Sequence, residues 1–508
     1  MTTFDYVIVG GGTSGCVLAA RLSHDPDIHV LLLEAGSAER SAAMSNPVAW
    51  PALAGTAVDW GYATVPQTAL NDEVIQLPAG KALGGSSAIN GLMHIRGDRS
   101  SYDAWEAAGA LGWNYDTLLP FFKRTERAVG RDPSYRGLDG PMVVAPATAR
   151  DPLWEACFDA ALAAGHPANE DGNAATAEGI SWNEVNVVGE ARQSAADAYL
   201  APAAQRPNLT IVTGAHALRL LVEGTACRGV TYLAAGHVHN AFAGREVVLA
   251  AGAIRTPHLL LLSGIGPGQH LRDHGVNALV DLPGVGANLH DHVKSEVSYT
   301  ASRSVRPGVF ARKPRALVRT DPTRAPDMQM IFIEFPIHPR WTPGPEDGYA
   351  VIHALMTAAS RGTVRLAGDD PTRSPLIDPR YLCDERDMER MVAGARLARE
   401  IGEAAPLAPW REKELYPGPA AQTDAELRAH LQRSVSSYWH PAGTCRIGTD
   451  LLSVVDPRLR VHGVTNLRVV DASVMPSPIA GNTNATVLAV AERAASLLLA
   501  GEDTRPVK

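Results

Sequence analysis

Apolar and polar positions alternate clearly enough to draw the first elements. From Asp5 to Gly36 the chain reads "DYVIVGGGTSGCVLAARLSHDPDIHVLLLEAG": an apolar strand, a glycine turn, an amphipathic helix and a second strand ending in an acid. "REVVLAAGAIRTPHLLLLSGIG", Arg245 to Gly266, predicts a buried strand, a second glycine turn and a short helix. That helix is expected to begin at Thr256–Pro257, where a capping residue precedes a proline. "MQMIFIEF", within 325–339, is an apolar strand interrupted by Glu334, and residues 384–403 have helical periodicity with acid–base pairs four apart, read as a solvated helix face. A last helix follows "AGNTN" near the C-terminus. The class expected is mixed α/β.

Composition narrows this little but excludes much. The 508 residues are 45% hydrophobic and 20% charged, an ordinary globular balance with length for two packed regions. The net charge of −8 comes with no block of Lys or Arg, which argues against nucleic acid as a partner. Five cysteines, Cys16, Cys157, Cys227, Cys383 and Cys445, are scattered without a CxxC pair. They read as thiols in a reducing compartment, not as a disulfide frame or zinc site. "HLLLL" falls far short of the roughly 20 residues of a membrane span. No basic, cleavable leader opens the chain, so a cytoplasmic location is expected. No histidine spacing suggests a metal.

Gly10, Gly12 and Gly15 fit G-x-G-x-x-G between a strand and a helix, the setting in which the motif carries meaning. The first glycine permits the turn, the second lets backbone approach a pyrophosphate, and the third lets helix pack on strand. Glu34 is placed to accept both hydroxyls of an adenosine ribose. A dinucleotide is expected, with FAD and NAD still open.

Two stretches extend the picture. "GKALGGSSAINGLMHIRG", Gly80 to Gly97, sets small residues in a row where a bulky group can lie against bare backbone, and Asn90 then offers an amide. With the glycine turn before Thr256, these residues carry a specific likeness. Gly80, Lys81, Leu83, Gly84, Gly85, Ser86, Ser87 and Asn90 match one signature of the glucose–methanol–choline oxidoreductases. Gly252, Ala253, Thr256, Pro257, Leu259, Leu260, Ser263, Gly264, Ile265 and Gly266 match the other. The chain resembles that family over nearly its whole length.

The resemblance implies a Rossmann-like FAD-binding domain from residues 1–150, 185–295 and 438–508. A substrate-binding domain on an antiparallel sheet would come from 151–184 and 296–437, with 325–339 as a strand over the flavin. It places cofactor contacts at Gly10, Gly12, Thr13, Ser14, Gly15, Glu34 and Ala35, and at Trp60, Leu83, Gly84 and Ser87. Others fall at Asn90, Gly91, Leu92 and Met93, at Ala217, and at Trp439, Asp471, Ala472, Asn482 and Thr483. Members with covalent FAD attach it through a histidine where this chain has Ile89, so non-covalent FAD is expected.

Removing two hydrogens from an alcohol needs a base for the hydroxyl proton and a second polar group that orients the oxygen. In the family these are a histidine in H-P-x-G-T and a His or Asn some forty residues on. Here the first is His440, in "SSYWHPAGTCRIG". Counting back from the helix beginning "ATVLAVAER" makes the second Asn482, with Asn484 in support. Asn is no base at neutral pH, so it would donate a hydrogen bond and leave His440 the proton acceptor. Trp439 would pack by the flavin or close the pocket.

The function expected is therefore FAD-dependent oxidation of a primary or secondary alcohol, nearest to the hydroxymethylfurfural oxidase and choline dehydrogenase-like branches. The alternatives are a hydroxynitrile lyase on the same fold and an NAD-dependent Rossmann dehydrogenase. The electron acceptor would be oxygen or a quinone-type carrier. Tyr438 occupies a position where some oxidases have valine, which leans towards the carrier. Glu334 points either to solvent or into the cavity, where it would favour an amine-bearing or polyhydroxy alcohol.

Overall fold

Val30–Leu33 is apolar at every position because both its faces are covered, as inside a parallel sheet. In the computed structural model, which describes residues 3–305, 312–337 and 347–500, this strand lies between Leu209–Val212 and Thr3–Val9, parallel to both. The sheet continues to His237–Leu249, then turns antiparallel through Ala226–Ala234 and His216–Glu223. Its seventh strand, Leu467–Val469, comes from the far end of the chain and lies parallel to His237–Leu249. Helix Thr13–Leu22 packs against the C-terminal helix Thr483–Leu499. Arg21 meets the fully buried Glu492 at 2.6 Å there, and the Tyr199 hydroxyl donates to the same carboxylate. The two ends of the chain are thus held as one layer, which is what brings residues 440 and 482 near the first glycine turn.

The second sheet is antiparallel throughout. Its order is Arg411–Tyr416, Val293–Ala301, Gly348–Leu355, Met328–Ile333, Pro314–Val318 and Gly179–Trp182. Ser436–Ser437 pairs with the start of Val293–Ala301. Helices Pro152–Ala163, Glu385–Glu403 and Asp424–Ser434 cover one face. The architecture is the mixed α/β arrangement expected, a Rossmann-like sheet joined to an antiparallel one.

One local expectation is filled out and two change. Residues 384–403 form the expected helix, capped by Asp384 from Glu385 to Glu403, with Glu385, Arg386, Glu389, Arg396 and Glu400 on its solvated face. Met388, Met391, Ala395 and Ala398 are buried against the sheet, and a Cβ on Gly402 would stand 2.2 Å from the Tyr299 hydroxyl oxygen. The helix of the second signature runs from Gly252 to Leu262, so Thr256–Pro257 is not its start. Pro257 lies inside, and the Ala253 carbonyl, whose usual donor would be the absent Pro257 N–H, accepts instead from Thr444 Oγ1 at 2.6 Å. A tertiary bond replaces a helical one. Glu334 follows the last strand residue, Ile333, and is paired with Lys313 Nζ at 2.6 Å, both side chains one-third exposed. Its carboxylate is already engaged, and the chemistry attached to a cavity-facing Glu334 falls away. His338 and Pro339, at the end of the stretch read as strand, lie outside the described residues. Among the described residues no helix is long and apolar enough to cross a membrane.

Candidate active site

The first glycine turn is built by contacts that no other residue permits. Gly10 has φ +106°, and a Cβ there would lie 2.5 Å from the Ala250 carbonyl oxygen. At Gly15 it would lie 1.9 Å from the Gly10 oxygen. The first signature stacks on this turn. Gly84 N donates to Gly11 O at 2.7 Å, Leu83 reaches within 3.0 Å of a Cβ built on Gly11, and Gly85 closes on Gly12 Cα.

Gly12 is different: a Cβ there would meet nothing nearer than 3.8 Å. The chain itself has no steric need of glycine at the helix N-terminus, and the open space can take a group from outside. Ser14 Oγ, buried in the first turn of the helix, has no hydrogen-bond partner among the described residues. Glu34 accepts from Gly11 N at 2.8 Å and Gly36 N at 2.7 Å, one bond per oxygen, and each oxygen keeps a second lone pair. Burial pushes its carboxyl up to about 7 against these bonds. Ala35 follows it, and Ala215 N donates to the Glu34 carbonyl, two residues before Ala217. Trp60 lies at the same end, edge-on to His216 with Lys81 and Arg255 over its ring. These residues fit the diphosphate and adenosine of a dinucleotide.

Other residues expected at the cofactor also tie the chain together. Ser87 Oγ donates to Gly84 O and accepts from Ala195 N. Asn90 Oδ1 accepts from Leu92 N and Arg192 Nη1, and its Nδ2 has no bond among the described residues. Leu92 holds φ +68°, so the Asn90 side chain braces a left-handed step ahead of Met93. Gly91 leaves space beside Trp50, and Trp50 meets Trp439 edge to face at 5.7 Å. Asp471 accepts from Gly252 N and Thr256 Oγ1, tying the second signature to the C-terminal strand, while Ala472 O accepts from Gly443 N. Asn484 accepts from Thr13 Oγ1 at 3.0 Å, which joins it to the first turn.

The loop of residues 437–444 is set by buried Asp291. One carboxylate oxygen accepts from His440 N at 2.8 Å, the other from Ser437 Oγ and Tyr381 OH. Burial raises this carboxyl and the bonds oppose the rise. Trp439 has φ +64°, rare for so large a residue, and its strain is held by the Ser437 and Asp291 bonds on either side. Gly443 is needed because a Cβ would stand 2.3 Å from His290 Cε1.

His440 and Asn482 meet, with Asn482 Nδ2 3.4 Å from His440 Nε2. Asn482 is the N-cap residue of Thr483–Leu499 and makes no capping bond. A contribution of about 1 kcal/mol is forgone there. Its Oδ1 accepts from Gln329 Nε2 at 3.2 Å, and Gln329 Oε1 accepts from Tyr438 OH at 3.0 Å. This chain fixes the amide so that its donor faces the imidazole. On the other side of that ring His440 Nδ1 lies 2.9 Å from His292 Nδ1, and one of the two must carry a hydrogen. Because Asn482 presents a donor to Nε2, the hydrogen on His440 belongs on Nδ1, and Nε2 keeps its lone pair. Burial, then His292, pushes the His440 imidazole well below its ordinary value. Burial holds His292 to about 4, opposed by the Ile479 and Met356 carbonyls, which draw its single N–H, the one on Nε2.

Gln329, His292, Asp291 and Tyr381 were missed in the sequence. Gln329 left a signal, an uncharged polar residue inside "MQMIFI". The other three are joined to the loop only by tertiary contact. An apolar group including Ile331, Ile352, Met356 and Tyr438, with Met93 and Ile333 against it, surrounds the polar atoms. A hydroxyl oxygen between His440 Nε2 and Asn482 Nδ2 would donate to one and accept from the other.

Two matches to models of GMC oxidoreductases, at residues 4–294 and 358–491, cover most of the chain. Human mitochondrial choline dehydrogenase is 38% identical over an alignment spanning 97% of this chain and 89% of that protein. An alcohol dehydrogenase [acceptor] of Pseudomonas putida is 37% identical over 98% and 96%. The crystal structure of pyridoxine 4-oxidase from Mesorbium loti superposes with a TM-score of 0.95 at 37% identity, covering 98% of this chain and all of that one. The chain belongs to the GMC oxidoreductase family.

Proposed function

We propose that this protein oxidises a primary or secondary alcohol to the aldehyde or ketone, with His440 taking the hydroxyl proton and Asn482 holding the oxygen. The observation that carries the reading is the fixed pair itself, an unprotonated Nε2 facing an amide donor inside an apolar pocket. His440 is neutral at physiological pH because its protonated form is disfavoured by burial and by His292. Its Nε2 receives the hydroxyl proton, and its Nδ1–H stays on His292. Asn482 donates to the alcohol oxygen and so turns the carbon that loses hydride. FAD, when bound, supplies the two-electron acceptor for that hydride.

Gly12, Ser14 and Glu34 would hold the dinucleotide, with Asn90, Gly91 and Leu92 nearer the reacting end. Attachment is non-covalent, because Ile89 offers no nucleophile where linked members have histidine. Tyr438 is held beside His440, ring centroids 4.8 Å apart, and its bond to Gln329 keeps it there. That filling favours an electron acceptor other than oxygen.

Anaerobic mixing of the purified yellow protein with a panel of aromatic, furanic, aliphatic, amino and sugar alcohols tests this. At least one alcohol should bleach the band near 450 nm, and admitting air should restore it slowly. A colourless protein would mean a nicotinamide enzyme. A yellow one that no alcohol bleaches but that splits cyanohydrins would mean a lyase.

A further inference from the structure

Among the ionisable side chains of the second sheet, Lys294 and Glu296 are not used by the chemistry at His440. Along Val293–Ala301, Val293, Val297 and Tyr299 join the apolar core beneath the helices, and Ser295 Oγ meets Ser434 Oγ on that side. By alternation His292, Lys294, Glu296 and Ser298 face the other way. That face is the active-site face, since His292 ends on His440 and Ser298 Oγ donates to the carbonyl of Ile337.

Register places Lys294 more closely. It lies opposite Ala354, which lies opposite Gln329, the residue that orients Asn482. Lys294 is therefore in the same row as Gln329, two strands or about 10 Å away, with only a methyl group between. Glu296 is in the next row with Ile352 and Ile331. Lys294 Nζ stands 5.8 Å from the ring centroid of Trp439, the residue before His440.

Lys294 is 9% exposed and Glu296 3%, and neither side chain makes a hydrogen bond or ion pair among the described residues. At the edge of this sheet Glu414 is matched by Arg399 at 2.8 Å, whereas buried Arg315 on Pro314–Val318 also keeps an Nη1 without a hydrogen-bond partner among the described residues. A buried ammonium without a counterion is costly in a purely structural role. Burial pushes the Glu296 carboxyl up to about 7, with Lys294 opposing, so near neutrality it offsets the ammonium only in part.

We infer that Lys294 selects the substrate by charge, binding an anionic group, in the simplest case a carboxylate, carried on the far side of an aromatic alcohol from its hydroxymethyl carbon. Trp439 offers a face for the ring between, and quaternary ammonium alcohols are repelled, although relatives of this chain are named choline dehydrogenases. This rests on the reading of His440 and Asn482 as the place where the alcohol binds.

The holoenzyme and its Lys294→Met variant, checked for flavin content and circular dichroism, are reduced anaerobically by 4-(hydroxymethyl)benzoate, benzyl alcohol and choline. The parent should prefer the carboxylate over benzyl alcohol at least tenfold in kcat/KM and react poorly with choline. In Lys294→Met that ratio should collapse towards one, chiefly through KM. A ratio unchanged by the substitution, or a parent that prefers choline, overturns the inference. Should no alcohol reduce the parent, the oxidation reading fails, and charge selection is then decided by titrating both proteins with benzoate and following the flavin difference spectrum. A Kd at least tenfold weaker in the variant supports Lys294 as the anion site, and equal Kd values overturn it.

Discussion

The Nδ1 atoms of His292 and His440 lie 2.9 Å apart, and the Asn482 amide on the far side of His440 decides which of them carries the hydrogen. His292 is thus a positioning residue that keeps His440 Nε2 free. Replacing it with Phe removes the acceptor and lets the other tautomer of His440 compete. Flavin reduction by alcohol should fall about tenfold to a hundredfold, less than the roughly 10²–10⁴-fold ascribed to the positioned base itself, because His440 is still present. Flavin content should be unchanged, and His292→Gln should recover part of the rate. Stopped-flow reduction with flavin quantitation reads all three.

Gln329 bonds both Asn482 and Tyr438 in the interior. Gln329→Leu leaves Asn482 Oδ1 and the Tyr438 hydroxyl without these partners, at a cost of about 1–3 kcal/mol for a buried unsatisfied group. Thermal unfolding should show the loss. The reduction rate should fall too, because the Asn482 amide is then free to turn its oxygen towards His440. Unchanged rate with lowered stability would reduce Gln329 to a packing residue.

The glycines of the first turn separate two reasons for the same residue type. Gly15→Ala places a methyl 1.9 Å from the Gly10 oxygen and should give insoluble or unfolded protein. Gly12→Ala meets no chain atom nearer than 3.8 Å, so the protein should fold with native stability as apoprotein. Its FAD affinity should fall at least tenfold, measured by fluorescence titration. Full FAD retention in Gly12→Ala would show that the space serves something else.

The pH dependence follows from the sign of the His440 shift. Burial and His292 lower its pKa, so the neutral imidazole needed as base persists below the ordinary histidine range. The kcat/KM for the reductive half-reaction should stay flat as pH falls from 8 through about 6.5, the ordinary histidine value, and decline only in more acidic solution. An acid limb centred at or above that value contradicts the environment described.

Local steric rules made part of this legible from the sequence. The turn at Gly10–Gly15 and the row Gly84–Ser87 announce themselves because backbone approach is encoded in consecutive small residues. The helix around Pro257 was misplaced for the opposite reason. A Thr–Pro pair reads as a helix start, and the compensating bond from Thr444 to Ala253 spans 191 residues. His440 and Asn482 were found through their motif, but the Asp291, His292 and Gln329 contacts that give them their protonation and orientation exist only once the second sheet meets the start of the last helix.

The most direct test compares parent and His440→Ala by anaerobic stopped-flow reduction with an alcohol that bleaches the parent flavin. With flavin content and circular dichroism unchanged, the variant should be slower by two to four orders of magnitude, the usual contribution of a general base. Equal rates in the two proteins would take His440 out of the reaction and contradict the account.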